Sequence, residues 1–506
     1  MEIQGGVFVP ISLENQMISF DEEGNVLSTE HNNKDLVVLE HSFEMRRDAR
    51  LFVRRISALR DSVGPSKLIY APGIMDVANM ALLAYMGVDL FDSALLSYRA
   101  RMGLLSLPEG TVSVKDAQWL TQDQTSKDAE EINLRTAWQE LGLIRHMIQA
   151  GRLRELAEVR ANSTPWGVAA LRLFDLECYA LQESQASVVG PRFYANSTQS
   201  LNRPDVARWR SRVQERWSPP AHKKVLLLLP CSAKKPYFTS KTHQIFRDAL
   251  MRVPNVDVVQ ELIVTSPLGV VPRELELFYP AAQYDIPVTG HWGLEEQRMA
   301  RELVSSAAEK GFDKVVCHLG HGNDFVKDAI DCMDTSQGNP TSRDSLARLE
   351  ATLARLCLEY DRPPRGMDRA ESLASVARFQ FGEGGDALTE GCTVSGNYPY
   401  SKIFSGKEQM GMLTPERGMI SLTLQGASRL LPKRIHWVEM EDFELSGNLF
   451  AVGIKDADPR IRVGDEALVL RNGELVAVGI AAMNAREMSE LKRGEAVKIR
   501  HKRKAA

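Results

Sequence analysis

The residues best equipped for chemistry crowd into one short run, Cys231 to His243, where Ser232, Lys234, Lys235, Tyr237 and Ser240 lie between a thiol and an imidazole. A thiol beside two lysines and near the start of a helix would have its thiolate favoured by positive charge, which makes Cys231 the candidate nucleophile. Lys235 is the second catalytic candidate, and His243 or a carboxylate such as Asp285 could shuttle a proton. The plainer alternative makes Cys231 a small buried hydrophobe and leaves the lysines solvated.

Such a cluster needs a scaffold. Lys224 to Leu229 is an uninterrupted apolar run, the pattern of a strand buried on both faces, and Gln244 to Arg252 resumes with helical character. In open α/β sheets ligands sit beyond the carboxyl ends of the strands, where Cys231 falls. Val256 to Thr265 predicts a second strand, Ser266 to Gly269 a turn, and Val271 to Glu276 the start of a helix with Pro272 in its first turn. Lys314 to His318 predicts a third strand, ending at Leu319-Gly320-His321-Gly322. The expectation is a doubly wound α/β core over residues 221–350 in which Cys231, His243, Arg273 and His321 meet. His318 and His321 have no Cys or acid at ligand spacing, so no metal site is assigned.

Composition sets outer bounds. A chain of 506 residues is too long for one ordinary core and predicts three or four domains. The net charge of -4 is near neutral, so any RNA affinity must come from local basic patches. Six cysteines form no CxxC or CxC pair, which argues against a zinc ribbon or a secreted disulfide framework. No signal peptide and no membrane-length apolar run is apparent, so a soluble, cytoplasmic protein is expected.

In residues 1–215, strands alternate with helices, implying a parallel sheet and an expected (β/α) barrel. Ile56, Leu59 and Val63 fall at helical spacing ahead of Gly64-Pro65, Leu68 to Tyr70 predicts a strand, Asp76 to Tyr85 a helix, and Val88 to Phe91 another strand. Further on, Leu134, Trp138, Leu141, Ile144 and Ile148 predict the buried stripe of a helix within Glu131 to Glu158. Arg203 to Pro220 reads as a linker. Residues 365–430 predict a small α+β module. Residues 433–506 carry short β-rich runs, Glu466 to Leu470 and Leu475 to Ile480, separated by Asn472-Gly473, a strong hairpin signal.

The order Pro230, Cys231, Lys235, Pro236, Tyr237, Ser240, His243 resembles the core motif of the archaeosine synthase family, tRNA-modifying enzymes of the tRNA-guanine transglycosylase superfamily. TSPLGVVPRELE, from Thr265, and YPAAQYDIPVTGHW, from Tyr279, carry the same resemblance, and Tyr70 to Ser93 is similar to the superfamily's barrel. The resemblance implies a uracil-DNA-glycosylase-like core that binds 7-cyano-7-deazaguanine (preQ0) at nucleotide 15 of the tRNA D-arm and adds free lysine to its nitrile. No cofactor is implied in this chain, and a partner radical S-adenosylmethionine subunit would convert the adduct to archaeosine. Ser232, Tyr237, Ser240, Ser266, Arg273, Tyr284, His291 and His321 become candidate substrate contacts, although Tyr237 and Tyr284 could equally pack in the core.

Two mechanisms stay open: Cys231 adds to the nitrile and lysine displaces it, or lysine attacks directly and Cys231 lines the pocket. A working transglycosylase carries a CxCxxC zinc run, whereas Gly110 to Asn133 here has neither Cys nor His, so base exchange is not expected and the barrel is read as a scaffold that has lost its metal. Asp89 and Asp92 are assigned structural roles. A tRNA-guanine transglycosylase and a noncatalytic tRNA-binding subunit remain as alternatives, and a homodimer or larger heteromer stays open. The C-terminal segment resembles a PUA domain, with Arg462, Lys498, Arg500, Lys502, Arg503 and Lys504 as expected phosphate contacts.

Overall fold

The computed structural model describes residues 17–18, 35–117, 119–120 and 126–503; Lys504 lies outside them. The chain divides into two compact units, Met1–Gln182 and Glu183–Ala506, so the first closes well ahead of the boundary expected at 215.

In the first unit, β1 (Met17–Ile18), β2 (Leu36–Leu39) and β3 (Leu68–Tyr70) form a parallel sheet in that order, extended by a single bridge from Tyr70 to Leu90. Helix Ala49–Val63 starts where Asp48 accepts the Leu51 N–H at 3.0 Å and stops at Gly64, whose φ of 68° suits a residue without Cβ. It buries Phe52, Ile56 and Leu59 in a core shared with Leu171 and Phe174 of helix Pro165–Glu177. The expected barrel does not close among the described residues. After Leu90 the chain becomes helical, and β4 (Leu104–Leu107) pairs only with β5 (Gly110–Ser113), as an antiparallel hairpin. Asp89 accepts from the Ile69 N–H and Arg60, and Asp92 from Tyr70, Gly73 and Ala94, so both carboxylates hold backbone in place.

The helical stripe needs correcting. Helix Ser126–Gln149 leaves Trp138 and Ile148 exposed and buries Ile132, Asn133, Ala137, Glu140 and Ile144. The buried polar residues set this face. Asn133 bonds the Leu96 and Leu104 carbonyls and the Ser106 N–H, and Glu140 takes both Nε and Nη2 of Arg160. Apolar periodicity cannot see such anchors.

The second unit is built on a five-stranded sheet, ordered β12 (Met333–Asp334), β11 (Lys314–Cys317), β7 (Val225–Pro230), β8 (Val259–Thr265), β9 (Gly269–Pro272), with β6 (Phe193–Tyr194) and β10 (Tyr284–Asp285) paired separately. β7 is central and parallel to both neighbours, in register Leu228 to Leu262 and Leu228 to Cys317. Its side chains alternate as a doubly covered strand requires. Val225, Leu227 and Leu229 pack with Phe246 of helix Lys241–Leu250 and Leu349 and Leu353 of helix Arg343–Cys357, while Leu226 and Leu228 join Trp209 and Leu303 on the other face.

Two expectations change here. Gly269–Pro272 is an antiparallel strand on β8, and the expected helix shrinks to one 3-10 turn at Arg273–Leu275. Gly269 has φ 77°, and a Cβ there would collide with Leu303, so the tight turn that returns β9 onto β8 needs this glycine. The expected linker is helix Pro204–Glu215, whose Trp209 is 2% exposed, followed by Trp217 at 1%; both tryptophans belong to the core.

The α+β module consists of helix Met367–Phe381, the antiparallel strands β13 (Thr393–Ser395), β14 (Ser401–Ser405), β15 (Glu408–Leu413) and β16 (Ile420–Leu422), and helix Leu424–Leu430. The C-terminal sheet has the order β18 (Leu449–Phe450), β22 (Glu495–Lys502), β21 (Glu474–Ala481), β20 (Glu466–Arg471), β17 (Trp437–Met440), β19 (Ile454–Ala457), curled by four register shifts. Asn472 and Gly473, at φ 52° and 77°, make the expected hairpin turn between β20 and β21.

Candidate active site

The carboxyl ends of β7 and β8 lie side by side because Pro230 pairs with Val264. That register sets Cys231, the first residue after β7, against Thr265, the last of β8, whose side chain favours the thiolate. The Thr265 hydroxyl is 2.5 Å from the Tyr284 hydroxyl, itself 2.5 Å from that of Tyr237. Both tyrosines are fully buried, so they form a hydrogen-bonded floor under the loop and cannot stack on a base. Lys235 is 5% exposed, with its amine 4.0 Å from the centre of the Tyr284 ring. Cys231 and Asp285 favour its charged form and Arg192 opposes it.

Burial dominates the electrostatics. It pushes the Cys231 thiol above its ordinary value, with Thr265 and Lys235 opposing the shift in part. The expected activated thiolate is therefore not the resting state. Burial likewise lowers the Lys235 amine, against the pull of Cys231 and Asp285. Burial thus moves the thiol up and the neighbouring amine down, bringing their proton affinities closer together.

His243 does not serve as a shuttle. It is 2% exposed, its Nδ1 accepts from Nη2 of Arg273 at 2.9 Å, and desolvation followed by the Arg273 charge depresses it to about 2. Arg273 is itself consumed by Glu261, at 2.6 and 3.0 Å, and by Glu276, which also takes the Phe238 N–H and the Tyr398 hydroxyl. His243 and Arg273 do meet, as expected, but as an internal brace for the Tyr237–Thr239 turn. Ser240 caps helix Lys241–Leu250 through the His243 N–H, and Ser232 bonds the Lys234 carbonyl. His321 is exposed in the loop after β11, tied by its N–H to the Gly338 carbonyl, and both nitrogens of His318 are occupied, by Thr335 and the Pro340 carbonyl.

Beside this cluster lies a cavity of about 520 Å³, lined by residues 195–198, 200 and 201, by Ser266 and Pro267, by Ile286, Pro287, Thr289 and His291, and by residues 293–296. Cys231 is not part of its wall. Ser266 and Ile286, which are, directly follow Thr265 and Asp285 in the chain. Glu296 bonds the Ser266 hydroxyl and accepts the Gly293 N–H at 2.7 Å, fixing the start of helix Leu294–Ala308. Sequence reasoning missed Thr265 and Glu296. The Gly-x-x-Glu spacing before a helix was the available signal for Glu296; nothing local marked Thr265.

At the C-terminal sheet the basic residues separate into two groups. Arg500 donates to the fully buried Glu466 and to the Leu422 carbonyl, and Arg462 to Glu183 and the Pro459 and Ile461 carbonyls. Neither is available to phosphate, contrary to expectation, because each neutralises a carboxylate. Lys498, Lys502 and Arg503 are exposed.

Three segments match described families: residues 37–129 match Queuine tRNA-ribosyltransferase, residues 206–353 a domain of unknown function (DUF5591), and residues 439–503 the PUA domain. A transglycosylase-type domain and an RNA-binding PUA domain around an α/β core define a tRNA-modifying transferase. Archaeosine synthase subunit alpha of Methanosarcina acetivorans is 34% identical over 93% of this chain and 80% of its own length, and that of Thermococcus kodakarensis 34% identical over 93% and 81%. The chain belongs to the archaeosine synthase family. A crystal structure of a protein of unknown function, AF0587, aligns over 58% of this chain and 98% of its own at 30% identity, with a TM-score of 0.46. No helix among the described residues is long and apolar enough to cross a membrane.

Proposed function

We propose that the chain adds free lysine to the nitrile of preQ0 held in the D-arm of tRNA, and that a radical S-adenosylmethionine partner completes archaeosine. The observation that carries this reading is the Cys231, Lys235 and Asp285 cluster at the carboxyl edge of the sheet, beside a cavity large enough for a small co-substrate. A nitrile carbon is a weak electrophile, so addition needs a strong nucleophile, a proton for the nitrogen and held geometry. Cys231 sulfur bonds to the nitrile carbon, its proton passes through Lys235 to the nitrile nitrogen, and a thioimidate results. The lysine side-chain amine then bonds to the same carbon, the carbon–sulfur bond breaks, and the amine's proton returns to sulfur. The product is an amidine-linked adduct and a regenerated thiol. Asp285 favours the Lys235 ammonium that exists while the proton is in transit from sulfur to nitrogen.

Exposed Lys498, Lys502 and Arg503 on the PUA domain supply phosphate contacts that orient the tRNA. Incubation with preQ0-containing tRNA and labelled lysine tests the reading: label retained on RNA is expected, and release of a free base or no reaction would overturn it.

A further inference from the structure

The cavity beside the cluster has a chemical bias. Its wall includes the carboxylates of Glu295 and Glu296 and no lysine or arginine. A tRNA phosphate would meet repulsion there, whereas a cationic group would be attracted. The remaining wall combines apolar surface at Ile286 and Pro287 with hydroxyls at Ser197 and Thr198. Its inner edge is Ser266 and Ile286, each one residue from a member of the reactive cluster.

We infer that this cavity is the seat of the amino-acid co-substrate, with Glu295 and Glu296 reading its α-ammonium; the inference rests on the lysine-transfer reading above. The methylene chain lies along Ile286 and Pro287, which directs the side-chain amine to the Thr265 and Asp285 edge where the thioimidate forms. The hydroxyls of residues 197–198 donate to the α-carboxylate. Glu296 carries a second duty, because the carboxylate that holds Ser266 also starts helix Leu294–Ala308.

The test is calorimetric titration of the full chain with free lysine, using wild type, Glu295→Gln and Glu296→Gln. Gln at 296 can still accept the Gly293 N–H, and Glu295 is exposed and outside the cap, so both variants keep the fold. Binding of lysine by wild type and a loss of about tenfold to hundredfold in each variant is the expected result, the range for removing one charged hydrogen-bond partner. Lysine binding within twofold of wild type in both variants, or no binding by wild type, overturns the assignment. The transfer assay separates the two readings. Wild type that binds lysine here but transfers none to RNA refutes the function and leaves the site; transfer with an unchanged KM for lysine in both variants refutes the site and leaves the function.

Discussion

Replacing Cys231 by Ser separates a covalent role from a pocket wall. Burial holds its thiol above the ordinary range, and an ordinary thiol of pKa about 8.5 is only about 3% ionised at pH 7. The resting thiolate fraction is therefore smaller still, and Lys235 must take the proton during attack. A serine hydroxyl in the same place is a far poorer nucleophile, so single-turnover transfer of lysine should fall at least about a thousandfold, equivalent to about 4 kcal/mol of barrier. Lys235→Met, which leaves the thiol but removes its proton acceptor, should cost about 10² to 10⁴. Omitting lysine gives an independent readout: wild type should accumulate a denaturation-resistant protein–RNA species that added lysine resolves, and Cys231→Ser should form none. Transfer by Cys231→Ser within tenfold of wild type, with no such species in wild type, would refute the thioimidate and leave direct attack by lysine.

His243 stays neutral in the folded protein to about pH 2, while the unfolded chain takes a proton near 6.5. A depressed folded value means the contribution is whole above pH 6.5 and is lost as pH falls; between 6.5 and 5 the loss is about 2 kcal/mol. His243→Gln should flatten that part of the acid dependence of thermal unfolding, and an identical slope in the variant would contradict the assignment. Arg500→Ala should leave the buried Glu466 carboxylate with Arg417 and the Leu422 N–H as partners and destabilise the C-terminal domain by about 1–3 kcal/mol, read by hydrogen exchange. Lys498→Ala and Lys502→Ala should leave stability alone and each lower the salt slope of tRNA binding by about one; an unchanged slope removes them from the interface. Leu227→Ala, at the centre of β7, should cost about 2–5 kcal/mol with no change in the sheet's register.

Local pattern carried much of the outcome. The apolar run Val225 to Leu229, the strand Leu68 to Tyr70 and the turn at Asn472-Gly473 were legible because each depends on neighbours in the chain: alternation, propensity and a positive φ. The motif from Pro230 to His243 located the candidate loop for the same reason.

Whether those residues are free to react was decided elsewhere. His243, Arg273, Arg462 and Arg500 all look reactive or phosphate-binding in one dimension, yet each is spent on a partner between 12 and 279 positions away. The thiol stays protonated because desolvation outweighs the opposing pull of Thr265 and Lys235, and desolvation is a property of packing that no spacing encodes. Sequence alone determined the family motif, the strand that bears it and the Asn472-Gly473 hairpin turn. Tertiary structure decided which polar groups remain unpaired, because a charge is neutralised by whatever the fold brings beside it, however distant in the chain.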